Sequence, residues 1–575
     1  MGHIKGTKLL VKALRQEGVD TVFGYPGGMV TDILDELYKQ DEIRVILPRH
    51  EQALVHEADG YARSTGKVGV CIVTSGPGAT NTITGIATAY ADSVPLVVFT
   101  GQVASNLIGN DAFQEADIIG ITRNICKFGF LLRDRADLAR VIKEAFYIAR
   151  SGNPGPVVID LPKDIMAQIG EDAYPEDVNI RGYKPSSGVH RGQLKKAVSL
   201  LASAKKPLFL IGGGVNISRA QKELKKVVDL TQVPVVTTIM GKGALEYDHP
   251  LYVGNLGMHG EYAANMAVSD CDVLFSIGTR FSDRVTSKIS EFAPHAQIIH
   301  VDIDSSSISR NIVVDIPIVA DAKEALSAML KYVKAKDNRT WIETIKSWKK
   351  EHPLSMTGKH DLSPQAVFDY INEHLQDSIV VTDVGQHQMW TTQFLQMTKH
   401  TQLLTSGGMG TMGFGFPAAL GAKLGSPQKR VLCITGDGGF QMNMQEMATA
   451  VTEEIPITIC LFNNGYLGMV KQLQKVGFNC HYANVCTRRR RNCALRCSGP
   501  AGKCPPYVPD FVKFAETYGM KGIRVTKNEE IAQAFMEAQK EKHGPTIIEF
   551  VIDSDIMVTP MVMGGRALTD MILEL

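Results

Sequence analysis

The sequence has almost no net charge, and this absence limits what the protein can bind. Its 575 residues contain 61 Lys and Arg against 60 Asp and Glu, which leaves a formal charge of +1. A chain balanced in this way creates no overall field that would attract nucleic acid or an anionic membrane. We therefore expect a protein that binds neither.

Long apolar runs and secretion signals are also missing. No apolar run approaches the length needed to span a bilayer, and the first stretch, MGHIKGTKLLVKALRQEG, has the pattern of an amphipathic helix rather than of a leader. Five cysteines are scattered singly in apolar segments: Cys71, Cys126, Cys271, Cys433 and Cys460. Isolated apolar cysteines are typical of buried, reduced thiols. These features predict a cytoplasmic protein.

What the sequence does contain is a regular alternation of apolar strand-like segments and helical patterns. KVGVCIVTSG, KPLFLIGGG and KRVLCITGDGG are examples. This alternation predicts an α/β protein with doubly wound, mostly parallel sheets and with ligands at the carboxyl ends of strands. The chain is too long for one hydrophobic core. Polar stretches at 171–190 and 331–352 divide it into predicted domains at 1–170, 190–330 and 360–550, followed by a tail at 551–575.

The strongest local feature is a pair of strand ends in the third predicted domain. VLCITGDGGF ends at Gly436, Asp437 and Gly438, and the next apolar strand, PITICLF, ends just before Asn464. If the two strands are parallel neighbours, a carboxylate, an amide oxygen and the Tyr466 carbonyl meet, and these ligands suit Mg²⁺. The Gly-rich turn would also let backbone N–H groups approach a diphosphate. The alternative is a ligand-free Asx turn after each strand.

Glu51 is the second candidate, in the first predicted domain. It opens a helical segment, EQALVHEADGYAR, that is rich in Ala, Leu and Val. A lone Glu is usually a surface charge, and Arg49 could pair with it. In this mostly apolar context, however, a carboxylate would need a specific partner, which favours a functional role.

With GDG, NN and this glutamate, the sequence resembles the thiamine diphosphate-dependent enzymes, and more narrowly the large catalytic subunits of acetolactate synthase. The resemblance extends over nearly the whole chain, in the order of the family. It rests on FGYPGG (23–28), RHEQ (49–52), TSGPGATN (74–81), DAFQEADI (111–118), GPVVIDLPKD (155–164), GMHG (257–260), RFSDRV (280–285), DVGQHQMW (383–390) and TSGGMGTMGFGFPAA (405–419).

The resemblance implies a fold, an activity and partners. The fold would be that of thiamine diphosphate enzymes, with a pyrimidine-binding, a middle FAD-binding and a diphosphate-binding domain. The activity would be decarboxylation of pyruvate on thiamine diphosphate and transfer of the two-carbon group to a second 2-keto acid, in branched-chain amino-acid biosynthesis. Mg²⁺ and FAD would be further cofactors. The partners would be a second copy of the chain, with the active site at the subunit interface, and a regulatory small subunit. The alternative is a related enzyme, such as pyruvate oxidase or another carboligase.

The resemblance also implies roles for individual residues. The implied catalytic residues are Glu51, Gln114 and Lys163, and the implied metal ligands are Asp437, Asn464 and Tyr466. Thiamine diphosphate would contact Gly28, Glu51, Gly385, Gln386, His387, Gly410, Met412, Gly436, Asp437, Gly438, Gly439 and Asn464. FAD would contact Gly212, Gly213, Gly214, Gly257, Met258, His259, Gly278, Arg280, Asp302 and Asp321. The substrates would contact Phe113, Arg284 and Leu473.

Several of these residues have ordinary structural alternatives. Met412 could fill the core, His387 could be a structural histidine and Lys163 a surface lysine. The segment LFLIGGGV (208–215) lacks the third glycine of a GxGxxG pattern, so on its own it is only weak evidence for a dinucleotide site.

The sequence departs from the family in two places. Leu473 stands where the family has a tryptophan that contacts the second keto acid, which predicts a weaker preference for 2-ketobutyrate. The stretch 477–507 is an insertion that holds five cysteines and four consecutive arginines (488–491). It has no CxxC pair, so we expect an extended lid with reduced thiols rather than a zinc module or a redox-sensing loop.

Overall fold

Three six-stranded parallel sheets organise the chain. The computed structural model describes residues 2–185, 188–356, 360–494, 496–497 and 504–574. Apolar clusters cover both faces of every sheet. Burial on both faces explains why the strands are near-continuous apolar runs in the sequence. The predicted α/β class with doubly wound parallel sheets is confirmed.

The first sheet lies in the N-terminal part of the chain. Its strands are β2 (Thr21–Gly24), β3 (Arg44–Ile46), β4 (Gly69–Val73), β5 (Leu96–Gln102), β6 (Phe128–Leu131) and β7 (Val157–Pro162), and β1 (His3–Lys5) pairs antiparallel with β8 (Ile169–Glu171) outside it. The helices are α1 (Gly6–Gln16), α2 (Thr31–Tyr38), α3 (Glu51–Thr65), α4 (Pro77–Thr80), α5 (Ile83–Ala91), α6 (Ile118–Thr122), α7 (Leu138–Arg150) and α8 (Lys163–Ala167), with a 3-10 turn at Arg135–Asp137. The sheet order is β3-β2-β4-β5-β7-β6.

The second sheet has a different order. Its strands are β9 (Pro207–Ile211), β10 (Val235–Thr237), β11 (Tyr252–Asn255), β12 (Val273–Ile277), β13 (Gln297–Asp302) and β14 (Ile316–Val319). The helices are α9 (Arg191–Ser203), α10 (Gly213–Ile217), α11 (Gln221–Thr231), α12 (Tyr262–Asp270), α13 (Asp283–Thr286), α14 (Ala322–Met329) and α15 (Arg339–Glu351), with 3-10 turns at Ile239–Gly241, Ile289–Glu291 and Ser305–Ser307. The order β11-β10-β9-β12-β13-β14 is that of dinucleotide-binding folds.

The third sheet repeats the order of the first. Its strands are β15 (Ser378–Thr382), β16 (Gln402–Thr405), β17 (Arg430–Gly436), β18 (Thr458–Asn463), β19 (Gly522–Val525) and β20 (Thr546–Val551), in the order β16-β15-β17-β18-β20-β19. The helices are α16 (Pro364–His374), α17 (Gln386–Phe394), α18 (Gly415–Gly425), α19 (Asp437–Phe440), α20 (Met447–Thr452), α21 (Gly468–Gly477), α22 (Phe511–Thr517) and α23 (Ile531–Ala538), with 3-10 turns at Met444–Glu446 and Asn528–Glu530. In the tail, β21 (Met561–Val562) pairs with β22 (Met571–Ile572), and the Val562 N–H donates to the Met258 carbonyl at 2.8 Å.

The first and third domains pack closely through α3 and α18. A Cβ atom at Gly60 would lie 2.0 Å from the Ala418 carbonyl oxygen, and one at Gly421 would lie 1.8 Å from the Glu57 carbonyl oxygen. Only glycine allows two helix backbones to come this close. This contact fixes the two domains of one chain against each other.

The singly placed cysteines are buried, as expected for reduced thiols. Within the described ranges, none of the helices combines the length and the apolar character that a membrane span requires.

Candidate active site

A cavity of about 1270 Å³ lies mainly between the second and third domains. Its walls are the loops that follow β9, β12 and β14 on one side and β15, β16, β17 and β18 on the other. These are the carboxyl ends of parallel strands, where α/β sheets bind ligands.

Asp437 and Asn464 meet at the third-sheet edge of this cavity. β17 and β18 are parallel neighbours, and the Asn464 backbone N–H donates to the Asp437 carboxylate. The Asn464 Oδ1 atom also accepts the Tyr466 N–H at 2.9 Å, so the Asx turn exists and coexists with the predicted cluster. Burial raises the pKa of Asp437 to about 6, against hydrogen bonds from Tyr507 and Thr487 that lower it. A bound cation would counteract this effect of burial.

The oxygen donors at this edge suit a hard cation. They are the Asp437 carboxylate, the Asn464 amide oxygen and the Tyr466 carbonyl, and all three residues line the cavity. Carboxylate, amide and carbonyl oxygens are the ligands that Mg²⁺ uses in proteins, with phosphate oxygens and water completing its shell.

His387 is a buried side chain at the same edge, and its ring hydrogen-bonds the Asp383 backbone. Within the described part of the chain, its Nε2 atom has no hydrogen-bond partner. Burial lowers the pKa of His387 to about 3, so the ring is a neutral imidazole. A Cβ atom added at Gly385 or at Gly436 would lie 2.9 Å from this ring. An orphaned buried nitrogen among glycines fits a polar ligand that approaches the backbone closely.

Two helices begin at the cavity wall, and their first N–H groups also fit a polar ligand at this edge. α17, which starts at Gln386, has 9 residues, and α21, which starts at Gly468, has 10. The first N–H groups of a helix lack partners within it and attract phosphate groups. The Gln386 Oε1 atom accepts a hydrogen bond from the Asn464 side-chain amide at 3.2 Å. This bond connects the start of α17 to the oxygen donors of Asp437, Asn464 and Tyr466, which we call the oxygen cluster.

The loop that carries Gly410 and Met412 is held by a residue that sequence reasoning missed. The buried Asp383 carboxylate accepts the N–H groups of Gly413 (3.0 and 3.1 Å) and Gly415 (2.8 Å). Asp383 directly follows β15, so the rule that singled out Asp437 could also have found it. Gly410 and Met412 both line the cavity.

The second domain lines the other half of the cavity with most of the residues expected to contact FAD. They are Gly213, Gly214, Met258, His259, Gly278, Arg280, Asp302 and Asp321, and Arg284 lies beside them. Gly212 and Gly257 are not part of this lining. A Cβ atom at Gly212 would lie 2.1 Å from the Gly278 carbonyl, and one at Gly257 would lie 2.5 Å from that of Arg284. Backbone packing therefore explains both glycines.

His259 adds a second ring with one unpartnered nitrogen, and this ring also hydrogen-bonds the Pro560 backbone. Its Nδ1 atom has no hydrogen-bond partner among the described residues, and burial lowers the pKa of His259 to about 4. The second domain therefore also presents a buried polar atom to a ligand.

The candidate residues of the first domain lie elsewhere. Gly28, Glu51, Phe113, Gln114 and Lys163 are not among the residues that line the cavity. They form a separate patch, which we call the first-domain face.

The turn at 76–78 connects the members of the first-domain face. A Cβ atom at Gly78 would lie 3.4 Å from the Glu51 Oε1 atom, and one at Gly76 would lie 2.8 to 3.0 Å from Gln114. Glu51 is 8% exposed, and its Oε2 atom accepts the Asn81 side-chain amide at 2.9 Å. Asn81 was not predicted, although it closes the quoted TSGPGATN segment.

The remaining members of the face lie toward its rim. Lys163 donates to the Gly28 carbonyl at 2.9 Å. Phe113 is 84% exposed.

The insertion at 477–507 begins beside the oxygen cluster, and residues 495 and 498–503 lie outside the described part. Cys486 forms a β-bridge with Tyr466, and the Thr487 hydroxyl donates to Asp437 at 3.2 Å. In the described part, no group of three or more His, Cys, Asp or Glu side chains could hold a metal ion. Leu473, one turn before the insertion, is 36% exposed and lines the cavity.

Curated relatives match this chain over almost its whole length, and family models match three segments of it. Three models of thiamine pyrophosphate enzymes match: the N-terminal TPP binding domain at residues 4–121, the central domain at 194–329 and the C-terminal TPP binding domain at 383–550. The "Probable acetolactate synthase large subunit" of Methanocaldococcus jannaschii is 46% identical over 99% of this chain and 95% of its own length. The "Acetolactate synthase isozyme 3 large subunit" of Escherichia coli is 42% identical over 100% and 99%, and the "Acetolactate synthase large subunit" of Corynebacterium glutamicum is 43% identical over 99% and 90%. The chain therefore belongs to the acetolactate synthase large subunits, a family of thiamine diphosphate-dependent enzymes.

Proposed function

We propose that the chain condenses pyruvate with a second 2-keto acid to form 2-acetolactate or 2-aceto-2-hydroxybutyrate, with Mg²⁺ and FAD as cofactors beside thiamine diphosphate. The observation that carries this proposal is the meeting of Asp437 and Asn464 beside the unpartnered Nε2 atom of His387, in a cavity that continues into a dinucleotide-type domain. When bound, thiamine diphosphate supplies the electron sink that decarboxylation of a 2-keto acid requires.

Asp437, Asn464 and the Tyr466 carbonyl would hold Mg²⁺, and the chain's other groups at this edge would hold the diphosphate. The starts of α17 and α21 offer backbone N–H groups, and the neutral His387 ring, held by a hydrogen bond to the Asp383 backbone, lies beside them. Gly438 and Gly439 line the cavity, and a Cβ atom at either would lie 2.6 Å from a side-chain atom, of Leu467 and of Asp383 respectively. Met412 would press an apolar side chain against the bound cofactor from the loop that Asp383 holds.

FAD would occupy the second-domain half of the cavity. The proposed contacts are the backbone at Gly213, Gly214 and Gly278 and the side chains of Met258, His259, Arg280, Asp302 and Asp321. The strand order of this sheet and the unpartnered His259 nitrogen support a dinucleotide ligand. Arg284, at the same wall, would bind the carboxylate of the second keto acid, since a guanidinium can donate two parallel hydrogen bonds.

The active unit would be at least a homodimer. Glu51 does not line the cavity that holds Asp437 in the same chain, which supports a site where a second chain brings its first-domain face to that cavity. Glu51 of the partner subunit would then hold a proton shared with the cofactor's pyrimidine ring. Asn81 occupies Oε2, which leaves Oε1 for this contact. Gln114, Phe113 and Lys163 would complete the pocket on the same face.

We further propose a cytoplasmic enzyme of branched-chain amino-acid biosynthesis that assembles with a smaller regulatory subunit. The names of the relatives, which all say "large subunit", support this assembly.

Product identification tests the proposed reaction. The purified chain is incubated with pyruvate, thiamine diphosphate and Mg²⁺, with and without FAD and 2-ketobutyrate. We expect 2-acetolactate, a second product when 2-ketobutyrate is present, and no hydrogen peroxide. Peroxide formation in place of carbon–carbon bond formation would identify an oxidase and refute the proposal.

A further inference from the structure

We propose that the two ends of the 477–507 insertion form a clamp, in which the hydroxyls of Thr487 and Tyr507 position the Asp437 carboxylate for its cation. This inference rests on the proposed metal site. It gives a catalytic-site role to the part of the sequence that resembles the family least. Thr487 and Tyr507 would be positioning residues, since they contact a metal ligand rather than the metal.

The start of the insertion is fixed to the loop that would supply the other metal ligands. The Leu467 N–H donates to the Val485 carbonyl at 2.8 Å, and the Thr487 N–H donates to the Gly465 carbonyl at 3.0 Å. These two bonds flank the bridge between Tyr466 and Cys486. The segment 485–487 is therefore added to the Asn464–Leu467 loop like a short antiparallel strand, and its side chains have fixed directions.

This pairing places the Thr487 hydroxyl on the carboxylate. The hydroxyl donates to the Asp437 Oδ2 atom at 3.2 Å. The Tyr507 hydroxyl, from the other end of the insertion, also hydrogen-bonds the Asp437 carboxylate.

Gln441 also hydrogen-bonds Tyr507. Its side-chain amide donates to the Tyr507 hydroxyl at 2.7 Å and to the Asp437 carbonyl at 3.1 Å. The Tyr507 oxygen also hydrogen-bonds Thr487, and since an ionised carboxylate can only accept, the bond between Tyr507 and Asp437 uses the tyrosine proton. Asp437 thus receives one hydroxyl from each end of the insertion.

The base of the insertion is closed between these two ends. The Arg490 guanidinium donates to the Pro506 carbonyl at 3.0 Å and to the Arg488 carbonyl at 2.9 Å. Arg490 lies three positions after Thr487, and Pro506 directly precedes Tyr507. This hydrogen bond therefore connects the segments that carry Thr487 and Tyr507. Within the arginine run, Arg490 thus has a structural role, whereas the Arg489 side chain is exposed.

Groups that hydrogen-bond a metal ligand restrict its orientation, and their loss typically weakens metal binding about 10- to 100-fold. Besides the two hydroxyls, the N–H groups of Asn464 and of Asp437 itself hydrogen-bond the carboxylate, so a cation would share its roughly four lone-pair positions with these donors. Together the donors favour one carboxylate orientation.

The test measures thiamine diphosphate binding by calorimetry at increasing Mg²⁺ concentrations, in the full-length protein. We expect Thr487→Val and Tyr507→Phe each to raise the half-saturating Mg²⁺ concentration about 10-fold. Thr487→Ser keeps the hydroxyl and should restore a value near that of the wild type. Turnover at saturating Mg²⁺ should change much less than turnover at limiting Mg²⁺.

Arginine variants supply a matched pair. Arg490→Met opens the base of the insertion and should shift the Mg²⁺ dependence in the same direction, whereas Arg489→Met, with its exposed side chain, should not. Circular dichroism and the Tm identify any variant that fails to fold, in which case Tyr507→Phe and Arg490→Met still decide the question.

The outcomes separate the clamp from the metal site itself. If the wild type binds thiamine diphosphate with no dependence on Mg²⁺, the proposed metal site is wrong and the clamp fails with it. If the wild type needs Mg²⁺ but the folded Thr487→Val and Tyr507→Phe variants match its half-saturating concentration, only the clamp is refuted.

Discussion

The first and third domains have the same strand order, but they place different residues at the carboxyl ends of their strands. In each sheet the strands lie in the order second, first, third, fourth, sixth and fifth along the chain. The third domain puts Asp437, Asn464 and the start of α21 at the carboxyl ends of its strands. The first domain puts the Gly76–Gly78 turn and Gln114 there, with Glu51 at a helix start. The same architecture therefore supports an oxygen-rich phosphate edge in one domain and a single acidic contact in the other.

The two carboxylates illustrate the difference. Asp437 is 2% exposed and accepts hydrogen bonds from two hydroxyls and a backbone N–H, as a metal ligand held in one orientation would. Glu51 is 8% exposed and has one amide donor at Oε2. In the proposed function the domains are thus not interchangeable, and a complete site would need one edge of each kind.

The largest expected effect on activity is in mixed dimers, which test whether Glu51 and Asp437 of one site come from different chains. Glu51→Gln and Asp437→Asn should each abolish nearly all carboligation, because each removes one carboxylate from every site. A purified mixed dimer of the two variants, isolated with two different tags, has one site with both carboxylates intact if the edges come from different chains. We expect about half of the wild-type activity, one intact site of two.

Parent dimers carrying the same tags provide the control. A mixed dimer as inactive as its parents would show that Glu51 and Asp437 of one chain serve the same site, and the proposed interface would be wrong.

The choice of the second keto acid should depend on the third-domain side of the site. Leu473 lines the cavity on α21, at the position where the sequence resemblance implies a tryptophan. Leu473→Trp adds apolar contact area and should raise the preference for 2-ketobutyrate over pyruvate about 10-fold, within the 1–3 kcal/mol range of such pocket contacts. The ratio of the two products at equal substrate concentrations measures it.

Met536→Trp is the matched control, since Met536 is 55% exposed on α23, away from the cavity lining. A product ratio that does not respond to Leu473→Trp would assign the discrimination to other residues, such as those of the first-domain face.

The sequence predicted the sheets and the oxygen cluster because both follow from local rules. Buried parallel strands are apolar throughout, and side chains that directly follow adjacent strands must meet at one edge, as Asp437 and Asn464 do. Strand order was not predictable in this way, since it depends on which helix crosses over which strand. The equal order of the first and third sheets therefore emerged only in the structure.

Residues that act through hydrogen bonds across the fold were also missed. Asp383 holds a loop more than 25 positions later, and Thr487 and Tyr507 contact Asp437 from an insertion with no helical or strand periodicity. Gly212 and Gly257 show the opposite case, because a glycine needed for backbone packing has the same sequence signature as one that admits a ligand.

The contact between the first and third domains provides the prediction with the smallest effect. Glu57 on α3 is fully buried, and neither of its oxygens has a hydrogen-bond partner of good geometry among the described residues. Burial, with the nearby Glu446 carboxylate, raises the pKa of Glu57 well above its usual 4.5. Glu446 instead accepts the Arg49 N–H at 3.0 Å and the Thr449 hydroxyl at 2.6 Å. Glu57 is therefore the protonated member of this pair.

A folded-state pKa above the unfolded value makes stability depend on pH. Below about pH 4.5 both states hold the Glu57 proton, and as the pH rises toward the folded-state pKa the unfolded chain releases it first, which favours unfolding by up to about 1.4 kcal/mol per pH unit. Glu57→Gln removes this loss, so its Tm should exceed that of the wild type by a few degrees at pH 8 and by less at pH 5.5. Glu516→Gln, an exposed carboxylate on the third domain, is the control. A Tm difference independent of pH would mean that Glu57 is ionised in the interface, and the two domains would then be joined by a charge rather than by a neutral contact.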